Sequence, residues 1–116
     1  MITPIFRIFD TEKATDFYRD FLGFKIDWRH QYEENMPEYI QVSFHNALIH
    51  LTEHHGDASP GSSIRVKLDN VEDYHHTLSQ KEYAYSNPGM RHTSWKTIEM
   101  TVTDPFLNRI TFYEEK

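Results

Sequence analysis

His54-His55-Gly56-Asp57-Ala58-Ser59-Pro60-Gly61-Ser62 is the only stretch of this chain dense in turn-forming residues, and it lies close to the midpoint of 116 residues. A joint there divides the chain into two segments, and the same order of signals recurs in each. Before the joint, a short apolar run from Ile2 to Phe9 leads into Asp10-Thr11-Glu12, a helix-start signal. Ala14, Phe17, Tyr18, Phe21 and Leu22 then recur at helical spacing up to Gly23, which stands where a left-handed residue ends a helix. Three strand-like runs follow: Phe24 to Tyr32, Tyr39 to Phe44 and Ala47 to Thr52. Hairpin turns are expected between them at 33–38 and at His45-Asn46. After the joint, Ser63 to Leu68 reads as a strand, and Asn70 with Val71, Tyr74 and Leu78 as a shorter capped helix. Tyr83 to Ser86, Thr97 to Thr103 and Asn108 to Tyr113 read as strands. The helix-start signal thus repeats at an offset of about sixty residues, from Asp10 to Asn70. The expected fold is α+β, one domain over residues 1–116 made of two tandem β-α-β-β-β modules, about 1–54 and 63–116, joined by 55–62.

Composition narrows the function classes. Eighteen acidic against twelve basic residues give a net charge of −6, which disfavours a nucleic-acid backbone and favours cationic or neutral ligands. Eight histidines make that charge soft in mild acid. The chain has no cysteine, so disulfides, thiolate catalysis and cysteine-ligated zinc are excluded. Its amino terminus reaches Arg7 too early for a signal-peptide core, and no apolar run approaches membrane-spanning length, so a cytoplasmic protein without membrane contact is expected. No Gly-x-Ser-x-Gly elbow, phosphate loop or dinucleotide fingerprint occurs.

Three runs carry a family resemblance: Asp16-Phe17-Tyr18 leading into Phe21-Leu22-Gly23-Phe24, then Leu68-Asp69-Asn70-Val71, then Thr103-Asp104-Pro105 with Asn108-Arg109. Together they resemble the landmarks of the glyoxalase, bleomycin-resistance and dioxygenase (vicinal-oxygen-chelate) superfamily, and most of all its bleomycin-resistance proteins. The resemblance implies curved mixed sheets that enclose a cleft. One departure stands in the closing turn, where Leu107 occupies a position usually held by glycine. Leucine resists positive φ, so the turn is expected to shift by one residue onto Asn108.

In metalloenzymes of the superfamily, four strand positions supply histidine and glutamate ligands. The resemblance places them on Thr3, His50, Ser63 and Thr111, of which only His50 suits a divalent ion. No metal and no cofactor are therefore expected. His50 and His54 would lie about 13 Å apart along a strand, and His75-His76 are adjacent on a helix, so neither pair rebuilds a site.

Pockets without a metal work through aromatic walls and a few orienting polar groups. Trp95 sits where the resemblance places a tryptophan of the drug-binding groove. Tyr39, Gln41, His50, Ser63 and Glu99 alternate with apolar neighbours and are candidate cleft residues, although ordinary sheet surface or a dimer contact would show the same alternation. The resemblance implies a homodimer with two clefts between subunits, often with the first strand exchanged. Ile2 to Phe9 would be that strand, with Ile5, Ile8 and Phe9 to bury. The leading expectation is a metal-free binder that sequesters a small molecule, a cationic and aromatic drug such as a bleomycin-class glycopeptide. The alternatives are a metal-dependent glyoxalase-like lyase recruiting an ion through His50, and a regulatory module using the same groove.

Overall fold

A computed structural model describes residues 1–82 and 88–116, so the strand expected at Tyr83 to Ser86 lies outside the described residues. The first half runs β1 (Ile5–Arg7), α1 (Thr11–Thr15) continuing in wider turns over Asp16–Phe21, β2 (Lys25–Gln31), β3 (Glu38–Phe44) and β4 (Ala47–Thr52). The second half runs β5 (Ser63–Lys67), α2 (Val71–Ser79), β6 (Met90–His92), β7 (Thr97–Thr103) and β8 (Arg109–Glu115). Each half forms one four-stranded mixed sheet, in the orders β1-β4-β3-β2 and β5-β8-β7-β6. In each sheet the first strand lies parallel to the last and the other pairings are antiparallel. This is the α+β architecture of paired β-α-β-β-β units that the order of signals predicts.

The helix ends follow the local chemistry. Asp10 caps α1 by accepting the Lys13 N–H, and Asn70 caps α2 by accepting that of Asp73. Beyond Thr15 the first helix widens, so that Leu22 N–H reaches the carbonyl of Phe17, five residues back. Gly23 then ends it at φ 83°. The side chains of the second helical region complete the first: Tyr74 donates to Leu22 O at 2.6 Å, and Lys81 Nζ to Phe21 O at 2.7 Å and Asp20 O at 3.0 Å. A cation there satisfies the last carbonyls and opposes the negative helix end.

Each sheet buries one face. Phe6, Ile8, Ile40, Val42, Ile49 and Leu51 from the first sheet join Ile98, Met100, Val102, Ile110 and Phe112 from the second in one core with Phe17, Tyr18, Phe21 and Leu22. Stacked and edge-on rings run through it from Phe24 to Phe44 (5.0 Å), Tyr74 (4.9 Å) and Phe112 (5.0 Å). The first strand is shorter than its sequence suggests and pairs with β4 of its own chain. Its buried residues are Phe6 and Ile8, whereas Ile5 and Phe9 point outward.

The closing turn keeps its length and corrects the expectation for Leu107. Leu107 itself adopts φ 71°, and Asn108 does not take over the left-handed position. The reason is that Asn108 is held elsewhere. Its Nδ2 donates to Arg7 O (2.8 Å) and Asp104 Oδ2 (2.9 Å), its Oδ1 accepts Ser62 N–H (3.1 Å), and its own N–H reaches Asp104 Oδ1 (2.8 Å). Asp104 also accepts the Phe106 N–H and, from the first helix, the Tyr18 hydroxyl at 2.7 Å. Burial holds the Asp104 carboxyl above its ordinary range, and the Asn108, Tyr18 and backbone donors offset part of that rise. All four contacts are donors, two to each oxygen, so both oxygens act as acceptors.

Asp104→Asn puts an amide against the Asn108 amide and removes one acceptor. Urea unfolding is expected to show a loss of about 2 kcal/mol, the usual range for an orphaned buried polar group. Leu107→Gly has the opposite sign. Leu107 is largely exposed, so little packing is lost while the left-handed strain is relieved. The same measurement should show a gain of about 1 kcal/mol after the entropy cost of glycine.

Candidate functional site

The face of each sheet that does not meet the core is open. On the first sheet, pairing sets Ile5, His50, Gln41 and Trp28 in one row across all four strands. Strict alternation from the inward-facing Ile26 would turn Trp28 toward the core. A β-bulge between Ile26 and Trp28 adds a residue to β2, and Trp28 emerges on the open face opposite Gln41. There its ring stacks on Tyr39 at 6.0 Å and 11° and meets the edge of His50 at 5.4 Å, while Tyr39 and His50 lie edge-on at 5.1 Å. Trp28 remains 42% exposed. The result is an aromatic cluster whose Trp28 ring stays partly open to solvent.

A chain of hydrogen bonds orders this surface. Gln41 Nε2 and Ser43 Oγ both donate to Asp27, at 3.1 and 2.9 Å, which lowers the Asp27 carboxyl from its ordinary range. That orients Gln41 Oε1 toward His50 Nε2 at 2.9 Å, so Nε2 carries the proton. Nδ1 is left to accept the Tyr39 hydroxyl at 2.8 Å. Burial pulls the His50 imidazolium below the usual histidine range and, as the larger of two causes, pushes the Tyr39 hydroxyl up, in keeping with a neutral pair.

The second open face is built around Glu99. Its side chain is almost covered, yet it lies on a face that no core element overlies, because its own partners do the covering. Arg65 approaches it through Nη2 at 2.8 Å and Nη1 at 3.3 Å, Thr97 Oγ1 donates at 2.8 Å, and Trp95 Nε1 donates at 3.2 Å. Arg91 stands 3.8 Å away. The Arg65 bonds, followed by those of Thr97 and Trp95, bring the Glu99 carboxyl down to about 2 against the cost of its desolvation. Arg65 lies over the Tyr113 ring (4.5 Å) and Arg91 over the Trp95 ring (5.6 Å).

The six candidate residues therefore fall into separate groups. Tyr39, Gln41 and His50 form one connected unit, and Trp95 and Glu99 form another. Ser63 touches neither: it is exposed at the end of β5, where its hydroxyl accepts from Arg109 Nε at 3.2 Å. Among the described residues no hydrogen bond, ion pair or ring contact joins the two groups. Trp28, Asp27, Arg65, Arg91 and Tyr113 complete the site and do not stand out in the sequence. For Arg65 and Tyr113 the alternation with Ile64, Val66 and Phe112 was a usable signal, whereas Trp28 is hidden by the bulge.

The donor set does not fit a divalent metal. Thr3, Ser63 and Thr111 offer neutral hydroxyls, Thr111 is bonded to Thr101 at 2.8 Å, and both nitrogens of His50 are engaged. Among the described residues no three histidine or acidic side chains gather where they could hold an ion. None of their helices is long and apolar enough to cross a membrane.

With this geometry in view, similarity to known proteins extends over the whole molecule. No curated protein matches the chain in sequence. A bleomycin-binding protein complexed with bleomycin superposes with a TM-score of 0.73 at 15% identity, covering 100% of this chain and 98% of its own. A member of the glyoxalase/bleomycin resistance protein/dioxygenase superfamily from Sphaerobacter thermophilus gives 0.69 at 23% identity, covering 97% and 94%. An antibiotic binding protein from Streptomyces sp. CB03234 gives 0.66 at 19% identity, covering 100% and 97%. At these identities the likeness lies in the fold. The sequence model of glyoxalase superfamily proteins matches residues 1–116, and with two matching β-α-β-β-β sheets it shows that the chain belongs to the glyoxalase superfamily.

Proposed function

We propose that this chain is a metal-free small-molecule-binding protein that sequesters a flat aromatic compound, a bleomycin-class drug being the first candidate, in clefts of a cytoplasmic homodimer. The carrying observation is the Trp28–Tyr39–His50 cluster, aromatic, ordered by hydrogen bonds and with the Trp28 ring partly exposed. A stacking wall with a few fixed polar atoms suits binding of a planar ring. Proteins of the same fold that bind bleomycin or another antibiotic support the reading. Support for the dimer comes from the same surfaces: Trp28 and Trp95 lie substantially exposed, in two groups that no hydrogen bond, ion pair or ring contact joins among the described residues. A second copy laying one face over the other would shelter both and close a cleft.

Titration with a metal-free bleomycin-class glycopeptide, read by calorimetry and tryptophan fluorescence, is expected to give micromolar or tighter affinity. Trp28→Phe should weaken it about tenfold, as loss of a stacking contact of roughly 1.4 kcal/mol implies. No heat and no quenching in the wild-type protein would overturn the drug-sequestering reading.

The neutral state of His50 supplies a second check. Its folded-state value is depressed, so the unfolded chain takes up the proton first. The stability that the row contributes is present above the ordinary histidine value, ~6.5, and is lost as pH falls below it. A pH series of urea unfolding should show this loss in the wild type and a shallower one in His50→Gln.

A further inference from the structure

We propose that the open face of the second sheet is a subsite for an oxyanion, the carboxylate of a small aromatic ligand, with Arg65 and Arg91 as the groups that bind it. The proposal rests on the ligand-binding reading above and adds, for the second face, an aromatic ligand of opposite charge to the cationic drug considered first. Its first support is a local reversal of charge. The whole chain carries −6. By register, however, this face presents four cationic side chains, Arg65, Lys67, Arg91 and Arg109, against two carboxylates, Glu99 and Glu115. Lys67 pairs with Glu115 at 3.4 Å. Glu99 is left between two guanidinium groups and neutralises only one. Arg65 takes the two short contacts, while Arg91 stands at 3.8 Å, 68% exposed, with no other acceptor among the described residues.

The second support is preorganisation. Tyr113 and Trp95 lie against the two guanidinium groups, whose carbons stand 4.5 and 5.6 Å from the ring centroids, and this contact limits their rotamers. Glu99 is a poor acceptor for an incoming cation, because Arg65, Thr97 and Trp95 fill its Oε2 and the two arginines face its Oε1, Arg65 at 3.3 Å and Arg91 at 3.8 Å. A cationic group brought to this face meets excess positive charge and no free carboxylate. A carboxylate meets unspent guanidinium donors beside an exposed indole, the combination that holds a planar anion by paired N–H···O bonds while its ring stacks.

Calorimetry on the full chain at low ionic strength, with naphthoate, its neutral amide and the naphthylmethylammonium cation, tests the assignment. Naphthoate is expected to bind at least about tenfold more tightly than the amide, the cation more weakly than either, and added salt to erode the preference. Arg91→Gln, at an exposed position, should narrow the carboxylate-to-amide ratio to about twofold, with thermal unfolding confirming that the variant is folded. Equal or tighter binding of the amide or cation overturns the subsite, as does failure of all three to bind. If the bleomycin-class compound still binds in that event, the ligand-binding reading survives alone; if nothing binds, both fall.

Discussion

The Asp104 carboxylate is the point on which the two halves depend. It is buried without a cation beside it, a position that is tolerable only when both oxygens are saturated by donors. Those donors come from distant parts of the chain: Tyr18 on the first helix, and Phe106 and Asn108 in the closing turn. Asn108 extends the network to Arg7 O in the first strand and to Ser62 N–H at the end of the joint. One polar cluster thereby holds the first helix, the first strand, the joint and the last hairpin in fixed relation. It also sets the start of β8, and with it the placement of Arg109, Thr111 and Tyr113 on the open face. Buried hydrophobic area supplies most of the driving force for the fold, but area is not directional. The directional part, where β8 starts beside the first strand and the joint, comes from this hydrogen-bonded knot.

The same turn shows how a local preference yields to tertiary context. Asparagine tolerates positive φ better than leucine, and propensity alone assigns the left-handed position to Asn108. Four hydrogen bonds fix Asn108 in place, and Leu107 accepts the strain with its side chain in solvent. A cost of roughly 1–2 kcal/mol at one residue is smaller than that of orphaning several buried polar groups.

Much of the fold is legible in the chain because two periods, near 3.6 and 2, run with little interruption. Ala14 through Leu22, Ile40 with Val42, and Ile98 through Val102 all show their buried side directly. Legibility ends where the period slips. The bulge at Asp27 reverses the face of Trp28, and without it Trp28 would read as core. The wide turns after Thr15 still place Phe17, Tyr18 and Phe21 inward, so the widening leaves no mark on the pattern. The short strand Met90–His92 is three residues long, too brief for any alternation to register. On the open faces alternation identifies Tyr39, Gln41, His50 and Glu99 as non-core, and there its information stops. Which of them touch depends on register between strands that are distant in sequence.

Net charge does not describe the second open face, for a related reason. A value of −6 is an average over the surface, whereas a ligand experiences the groups within a Debye length, about 10 Å at moderate salt. The acidic residues of this chain include many in turns and at helix starts, such as Glu33, Glu34, Glu12, Glu72 and Asp73. The strands of the second sheet instead direct arginines outward around a single carboxylate that is already spent. The two open faces are consequently unlike: one is an aromatic surface ordered by hydrogen bonds that start at the Asp27 carboxylate, the other a surface richer in arginine and backed by rings. Thr3, Ser63 and Thr111 offer only neutral hydroxyls, which are poor ligands for a divalent ion. The side chains satisfy one another, and the exposed indoles and guanidinium edges remain for whatever binds.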